Sequence, residues 1–264
     1  MFDLLIAVPP VYLALICSLF TWSVTALGAA TVFFFKSVNK KILNLLMGFS
    51  AGVMIAASFW SLLSPAVEQA GELFKTSWFF PSFGFIVGGV FVVIAGVLLD
   101  KFGFLSAGKL PESKKRSVLL VTSITLHNIP EGLSVGVAFG ALAAGLSGAD
   151  AVGAVLLAFG IGLQNFPEGA SVSLPLRREG MSRGKAFFFG QASGFVEPIS
   201  ALAGFFLSQA IRTLLPFALG FSAGAMIAVA SAELLPEAAE NKNLSTVGCI
   251  IGFALMTVMD LALG

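Results

Sequence analysis

The chain has 264 residues, 57% of them hydrophobic and 11% charged, with a net charge of +1. A soluble globular domain carries about a quarter charged residues, so this composition excludes one and points to a polytopic membrane protein. So balanced a charge says nothing about partners, and no nucleic-acid partner is expected.

The opening "MFDLLIAVPP" lacks a basic n-region, and its apolar run is long enough to span, so no cleavable leader is expected. Apolar runs of about 20 residues predict transmembrane helices. In chain order eight are expected, at roughly 8–35, 43–65, 79–100, 117–140, 151–176, 185–208, 214–236 and 244–263. The expected fold is therefore all-α, one polytopic domain over 1–264 embedded in the lipid bilayer. Cys17 and Cys249 lie far apart in apolar runs and read as apolar fillers, neither a disulfide nor a metal pair.

Lys and Arg gather on the cytoplasmic side of a membrane. The loops after spans 1, 3, 5 and 7 hold thirteen of the 15, and those after spans 2, 4 and 6 hold only Lys75 and Arg212. The odd-numbered loops are expected in the cytosol and both termini outside, in the cell (inner) membrane.

Two internal repeats order these spans. "GFSAGVMIAASFWSLLSPAVEQ" (48–69) matches "GFSAGAMIAVASAELLPEAAEN" (220–241) at 12 of 22 positions, pairing spans 2 and 7. "LHNIPEGLSV" (126–135) matches "LQNFPEGASV" (163–172) at seven of ten, pairing spans 4 and 5. Both pairs are an odd number of spans apart, so their members cross in opposite directions. This predicts an inverted repeat of 3 + 2 + 3 spans, a pattern common in secondary transporters.

The ionisable groups well inside the spans are His127, Glu131, Glu168, Glu197 and Glu233, with Asp260 near the end of span 8. None faces an intramembrane Lys or Arg in the sequence. A bare carboxylate in hydrocarbon costs several kcal/mol, so four of them imply a site that holds cations or protons. His127 and Glu131 are spaced i, i+4 and Asn128 and Glu131 i, i+3; Gln164, Asn165 and Glu168 repeat that spacing in span 5. An imidazole among carboxylates and amide oxygens suits Zn²⁺ or another first-row divalent ion better than K⁺ or Ca²⁺. Pro130, Pro167 and Pro198 each lie beside one of these glutamates and are expected to break the helices there, freeing the carbonyls of Leu126, Leu163 and Gly194. Gly132 and Gly169 are expected to let helices approach closely.

At these residues the chain resembles the ZIP (Zrt-, Irt-like protein) family of divalent-metal transporters, and its bacterial GufA-like branch in particular. "HNIPEG" in span 4 carries the likeness, with "QNFPEG" in span 5 and "GQASGFVEP" (190–198) in span 6. The resemblance implies a binuclear site: His127, Glu131, Gln164, Glu168 and Glu197 for the primary metal, and Asn128, Asn165 and the shared glutamates for a secondary one. It places the thioether of Met54 near the pathway, Glu233 beside the site, and Asp260 at an entrance. It implies import toward the cytosol by an elevator, with spans 1, 4, 5 and 6 moving against a scaffold of spans 2, 3, 7 and 8 in a homodimer. No prosthetic group is expected, only transported Zn²⁺, and the softer Gln164 predicts breadth toward Cd²⁺, Fe²⁺, Mn²⁺ and Co²⁺. Many family members carry HExPHE in span 5, where this chain has neutral Gln164 and Asn165.

The alternative is a cation/proton exchanger, since such folds also use inverted repeats with Pro-Glu motifs. A metal-dependent hydrolase of the HExxH type needs two histidines, and the chain has one. It is not expected to be an enzyme.

Overall fold

Prolines and small polar side chains set where the helices begin. In the computed structural model, which describes residues 8–35, 39–106, 112–146, 149–210 and 212–263, α1 (Pro10–Ala30) opens on a proline in its first turn. Asn39 caps α2 (Lys40–Ala57), its side chain accepting from the backbone N–H of Lys41 at 3.0 Å. Asp150 caps α6 (Ala151–Arg178) through Gly153, and Ser182 caps α7 (Arg183–Gly194) through Lys185. The remaining helices are α3 (Ser64–Leu73), α4 (Phe79–Ser106), α5 (Glu112–Ala143), α8 (Val196–Ala210), α9 (Leu215–Val229), the short α10 (Leu235–Glu237) and α11 (Lys242–Leu263). No strand occurs among the described residues. The chain is an all-α polytopic membrane protein.

Among the described residues six helical stretches are long and apolar enough to cross a membrane: Pro10–Phe33, Lys40–Leu73, Phe79–Leu98, Ala151–Arg178, Leu215–Ala232 and Ala238–Ala262. The expected spans 4 and 6 are not among them. The first, α5, carries His127, Asn128 and Glu131 near its middle, which lowers its hydropathy. The second is divided at Phe195 into helices of 12 and 15 residues.

The expected breaks at Pro130 and Pro167 are absent, since α5 and α6 run straight through both prolines. Neighbouring helices take over the backbone groups that a membrane proline loosens. Beside the carbonyl of Leu163 that Pro167 frees, Ser50 of α2 donates to the carbonyl of Gln164 at 3.0 Å and ties the two helices together there. The third expected break does occur: the ring of Pro198 excludes the carbonyl of Gly194, and α7 ends there with Phe195 between it and α8.

A second departure was not anticipated. The long repeat contains a π-helical stretch in each copy, Ser58–Leu63 and Ala230–Leu234. Both begin at the same repeat position, and each ends two residues before a proline, Pro65 or Pro236. A wide π turn moves aside the carbonyl four residues back that the proline ring would strike.

The most extensive helix pairings are α2 with α11, α4 with α9, α1 with α6 and α5 with α8. Under the exchange of spans 2 and 7, 3 and 8, 1 and 6, and 4 and 5, the first pairing becomes the second and the third becomes the fourth. Glycines four residues apart make these contacts. A Cβ on Gly48 or Gly52 would strike the backbone of α11, and one on Gly220 or Gly224 the backbone of α4. Without a hydrophobic driving force between helices in lipid, such close backbone approach supplies the packing. The outer faces of α4 and α11 expose Ile86, Val90, Ile94, Ile250, Val258 and Leu261, as lipid contact requires.

Candidate metal site

The two ten-residue repeats place their polar groups in the buried interior, where Glu131, Gln164, Asn165, Glu168 and Glu197 meet. His127, Asn128 and Glu131 on α5, Gln164, Asn165 and Glu168 on α6, and Glu197 at the start of α8 are all buried. Close helix approach brings them together, since a Cβ on Gly132 would collide with Glu197 and Ser200, and one on Gly169 with Thr25 and Ala29. Both glycines serve as the spacing suggested.

Amide groups hold the carboxylates. Gln164 Nε2 donates to Glu131 Oε1 at 2.7 Å. Asn165 Nδ2 lies 2.9 Å from each oxygen of Glu197 and 3.2 Å from the carbonyl of Thr21. Asn128 Nδ2 donates to the carbonyl of Ser193 at 2.9 Å. Glu131 lies within electrostatic reach of Glu168 and Glu197.

The repeat symmetry extends into these contacts. Asn128 reaches from α5 to Ser193 on α7 as Asn165 reaches from α6 to Thr21 on α1. Ser134 bonds the carbonyl of Glu131 as Ser171 bonds that of Glu168. The symmetry fails at two places, His127 against Gln164 and Glu197 against Thr25.

The cluster has more acceptors than donors. Asn128 Oδ1, Glu131 Oε2, Gln164 Oε1 and Asn165 Oδ1 are buried without a hydrogen-bond partner. Unpaired buried acceptors are costly, and a bound cation is one kind of partner that amide and carboxylate oxygens accept. Among the described residues no three His, Cys, Asp or Glu side chains already form a metal-binding group. Amide nitrogens of Gln164 and Asn165 instead stand against the oxygens of Glu131 and Glu197.

Met54 is fully buried on α2, one helical turn beyond Ser50, which touches the backbone of Gln164. Asp260 does not join the cluster. It lines a separate cavity of about 260 Å³ with Ser61, Glu68, Gln69 and Asp150, and accepts from Ser61 Oγ at 2.8 and 3.0 Å. The side chain of Glu233 lies outside the described residues. Cys17 and Cys249 are free thiols, as their placement suggested.

Thr21, Thr25, Ser193 and Ser50 touch the candidate ligands, and the sequence reading did not single them out. A faint signal exists: "TWSVT" (21–25) and "SGFVE" (193–197) share a hydroxyl residue at the first position and a valine at the fourth.

A family model described as ZIP zinc transporter matches residues 106–260. Zinc transporter ZIP11 of Xenopus tropicalis is 38% identical, over 97% of this chain and 98% of its own length. Zinc transporter ZIPB of Bordetella bronchiseptica is 35% identical, over 92% of this chain and 79% of its own. Zinc transporter GufA of Myxococcus xanthus is 34% identical, over 95% and 98%. With a family model over more than half its length and relatives matched over nearly all of it, the chain belongs to the ZIP zinc transporter family.

Proposed function

We propose that this protein carries Zn²⁺ across the membrane toward the cytosol through the buried cluster on α5, α6 and α8. The observation that supports this best is the surplus of acceptors: carboxylates and amide oxygens meet in an apolar interior with four oxygens unpartnered. His127, Glu131, Gln164, Glu168 and Glu197 would hold the transported ion, and Asn128, Asn165 and the shared glutamates a second, weaker position. For the amides to serve, Gln164 and Asn165 must turn their oxygens toward the metal and release the carboxylates they now hold.

The relatives' names as zinc transporters favour zinc as the cargo. The donor mixture also accommodates Cd²⁺, Fe²⁺, Mn²⁺ and Co²⁺. The helix pairings favour a two-part machine, because the tightest contacts fall within two groups, α1 with α5 to α8 and α2 to α4 with α9 to α11. The first group would carry the metal against the second in an elevator motion, in a homodimer as the family resemblance implies. Met54 would lie beside the path. The cavity around Asp260 would gather cations from outside, and Glu233 would act near the site from α9's π turn. The outside termini follow from the basic loops, and the inward direction from the family resemblance. The ion pair of Lys40 with Glu240 at 2.9 Å supports the same side for the loops before α2 and α11.

The test is metal uptake by proteoliposomes with a panel of competing ions and an imposed proton gradient. Zinc accumulation without proton counterflow supports this reading. Obligatory proton exchange would favour the exchanger, and absence of zinc flux would refute the proposal.

A further inference from the structure

We propose that Thr25 is a positioning residue of the transport site, whose hydroxyl fixes one oxygen of Glu197 and leaves the other for the metal. This rests on the site reading given above. Thr25 and Glu197 are 1% and 0% exposed, on α1 and α8. Thr25 Oγ1 stands 3.3 Å from Glu197 Oε1 and 3.3 Å from the carbonyl of Thr21. A helical threonine needs only the carbonyl four residues back. This one shares its proton with a carboxylate on another helix.

The two oxygens of Glu197 are thereby unequal. Oε1 accepts from Thr25 and Asn165 and Oε2 accepts from Asn165, with the Thr21 hydroxyl a further hydrogen-bond partner of the same carboxylate. Asn165 can swing away to present its unpartnered Oδ1 to an ion, and that rotation releases Oε2. Thr25 cannot follow. Its β-branched side chain is stiff at χ1, and it packs so tightly on Gly194 that a Cβ there would sit 3.0 Å from the threonine's Cβ, Cγ2 and Oγ1. Oε1 stays anchored while Oε2 turns to the metal. If Glu197 shifts further during transport, the hydroxyl keeps the Thr21 carbonyl, so no donor is left buried and unpaired.

The repeat symmetry explains why a hydroxyl stands here. Thr25 is the counterpart of Glu197, so a glutamate in its place would set two carboxylates against each other. A hydroxyl instead turns the symmetry mate into a donor.

The test uses the purified full chain, with Zn²⁺ binding by calorimetry and uptake in proteoliposomes. Thr25→Val keeps the shape and removes the hydroxyl. Its Kd for Zn²⁺ is expected to rise about three- to tenfold, the value of one long hydrogen bond. The uptake KM should rise by the same factor with Vmax unchanged, and Thr25→Ser should restore both. In a Glu197→Ala background Thr25→Val should add nothing. Wild-type affinity in Thr25→Val, or a shift that persists without Glu197, overturns the proposal. If the valine variant does not fold, Thr25→Ala takes its place in the same cycle with the same criteria. The two readings fail separately: unaltered binding in Glu197→Ala removes the site itself, whereas impaired Glu197→Ala with unaffected Thr25→Val removes only the threonine's role.

Discussion

Gln164 donates its amide hydrogen to Glu131 across 2.7 Å, joining α6 to α5 through a bond from a neutral donor to a carboxylate. A carboxylate buried without a counterion needs such a donor. The same geometry sets a condition on metal binding, because the amide nitrogen occupies the oxygen a cation would seek. Glu131 Oε2 and Gln164 Oε1, one on each side of this bond, have no partner. At the site proposed above, one rotation of the amide would free both groups to serve as metal ligands.

The first prediction concerns the imidazole. His127 is the only histidine in the chain and lies buried one turn before Glu131. His127→Ala is expected to lower zinc uptake at least about tenfold, since even an outer partner of a metal ligand is worth that much. Uptake at matched expression checks it, with size-exclusion profiles to show that the variant folds. Unchanged uptake would remove His127 from the ligand set.

The candidate ligands were legible because polarity in an apolar run is costly and therefore conspicuous. "LHNIPEGLSV" and "LQNFPEGASV" announce themselves by repeating that cost. What the amides of Gln164 and Asn165 bond to was not legible, because it depends on Thr21, Ser193 and Glu197 on other helices. Pro130 and Pro167 misled for a related reason: a membrane helix keeps its course through a proline when neighbours such as Ser50 support the backbone. The π turns at Ser58 and Ala230 are a matter of hydrogen-bond register, and composition carries no sign of register beyond the prolines that follow.

Packing at the α5–α8 contact gives a second prediction. Gly136 lies against the backbone of Ala201, and a Cβ would collide with it. Gly136→Val is expected to cost about 1–3 kcal/mol by overpacking and to lower the melting temperature in detergent. Gly96 has open space around it within α4, so Gly96→Ala should not lower melting and should raise it slightly, as removing a glycine from a helix interior does. Equal melting of Gly136→Val and the wild type would show that this glycine contact does not set the helix spacing.

Orientation is testable in intact cells. With Cys17 and Cys249 replaced by alanine, a cysteine appended after Gly264 should react with an impermeant maleimide, and one substituted at Lys114 should not. The reverse labelling pattern would invert the direction of transport proposed here.

The last prediction addresses the second metal position. Two divalent ions a few ångströms apart repel, and the groups between them must offset that repulsion. Glu131, Glu168 and Glu197 supply at most three negative charges against four positive ones, and Asn165 adds none. The second ion should therefore bind weakly in the wild type. Asn165→Asp brings the charges to balance with almost no change of shape. In the empty protein the same substitution deletes the donor that now lies 2.9 Å from both oxygens of Glu197 and sets carboxylate against carboxylate. At about 4 Å and an effective dielectric near 20, that repulsion approaches 4 kcal/mol before any protonation relieves it. The empty variant should melt below the wild type, and zinc should raise its melting temperature further than it raises the wild type's. Bound zinc per chain, measured by metal analysis after dialysis, should increase toward two. Turnover should fall, because an ion held more tightly leaves more slowly. A variant that melts like the wild type when empty and binds no additional zinc would show that Asn165 neither restrains Glu197 nor borders a second ion.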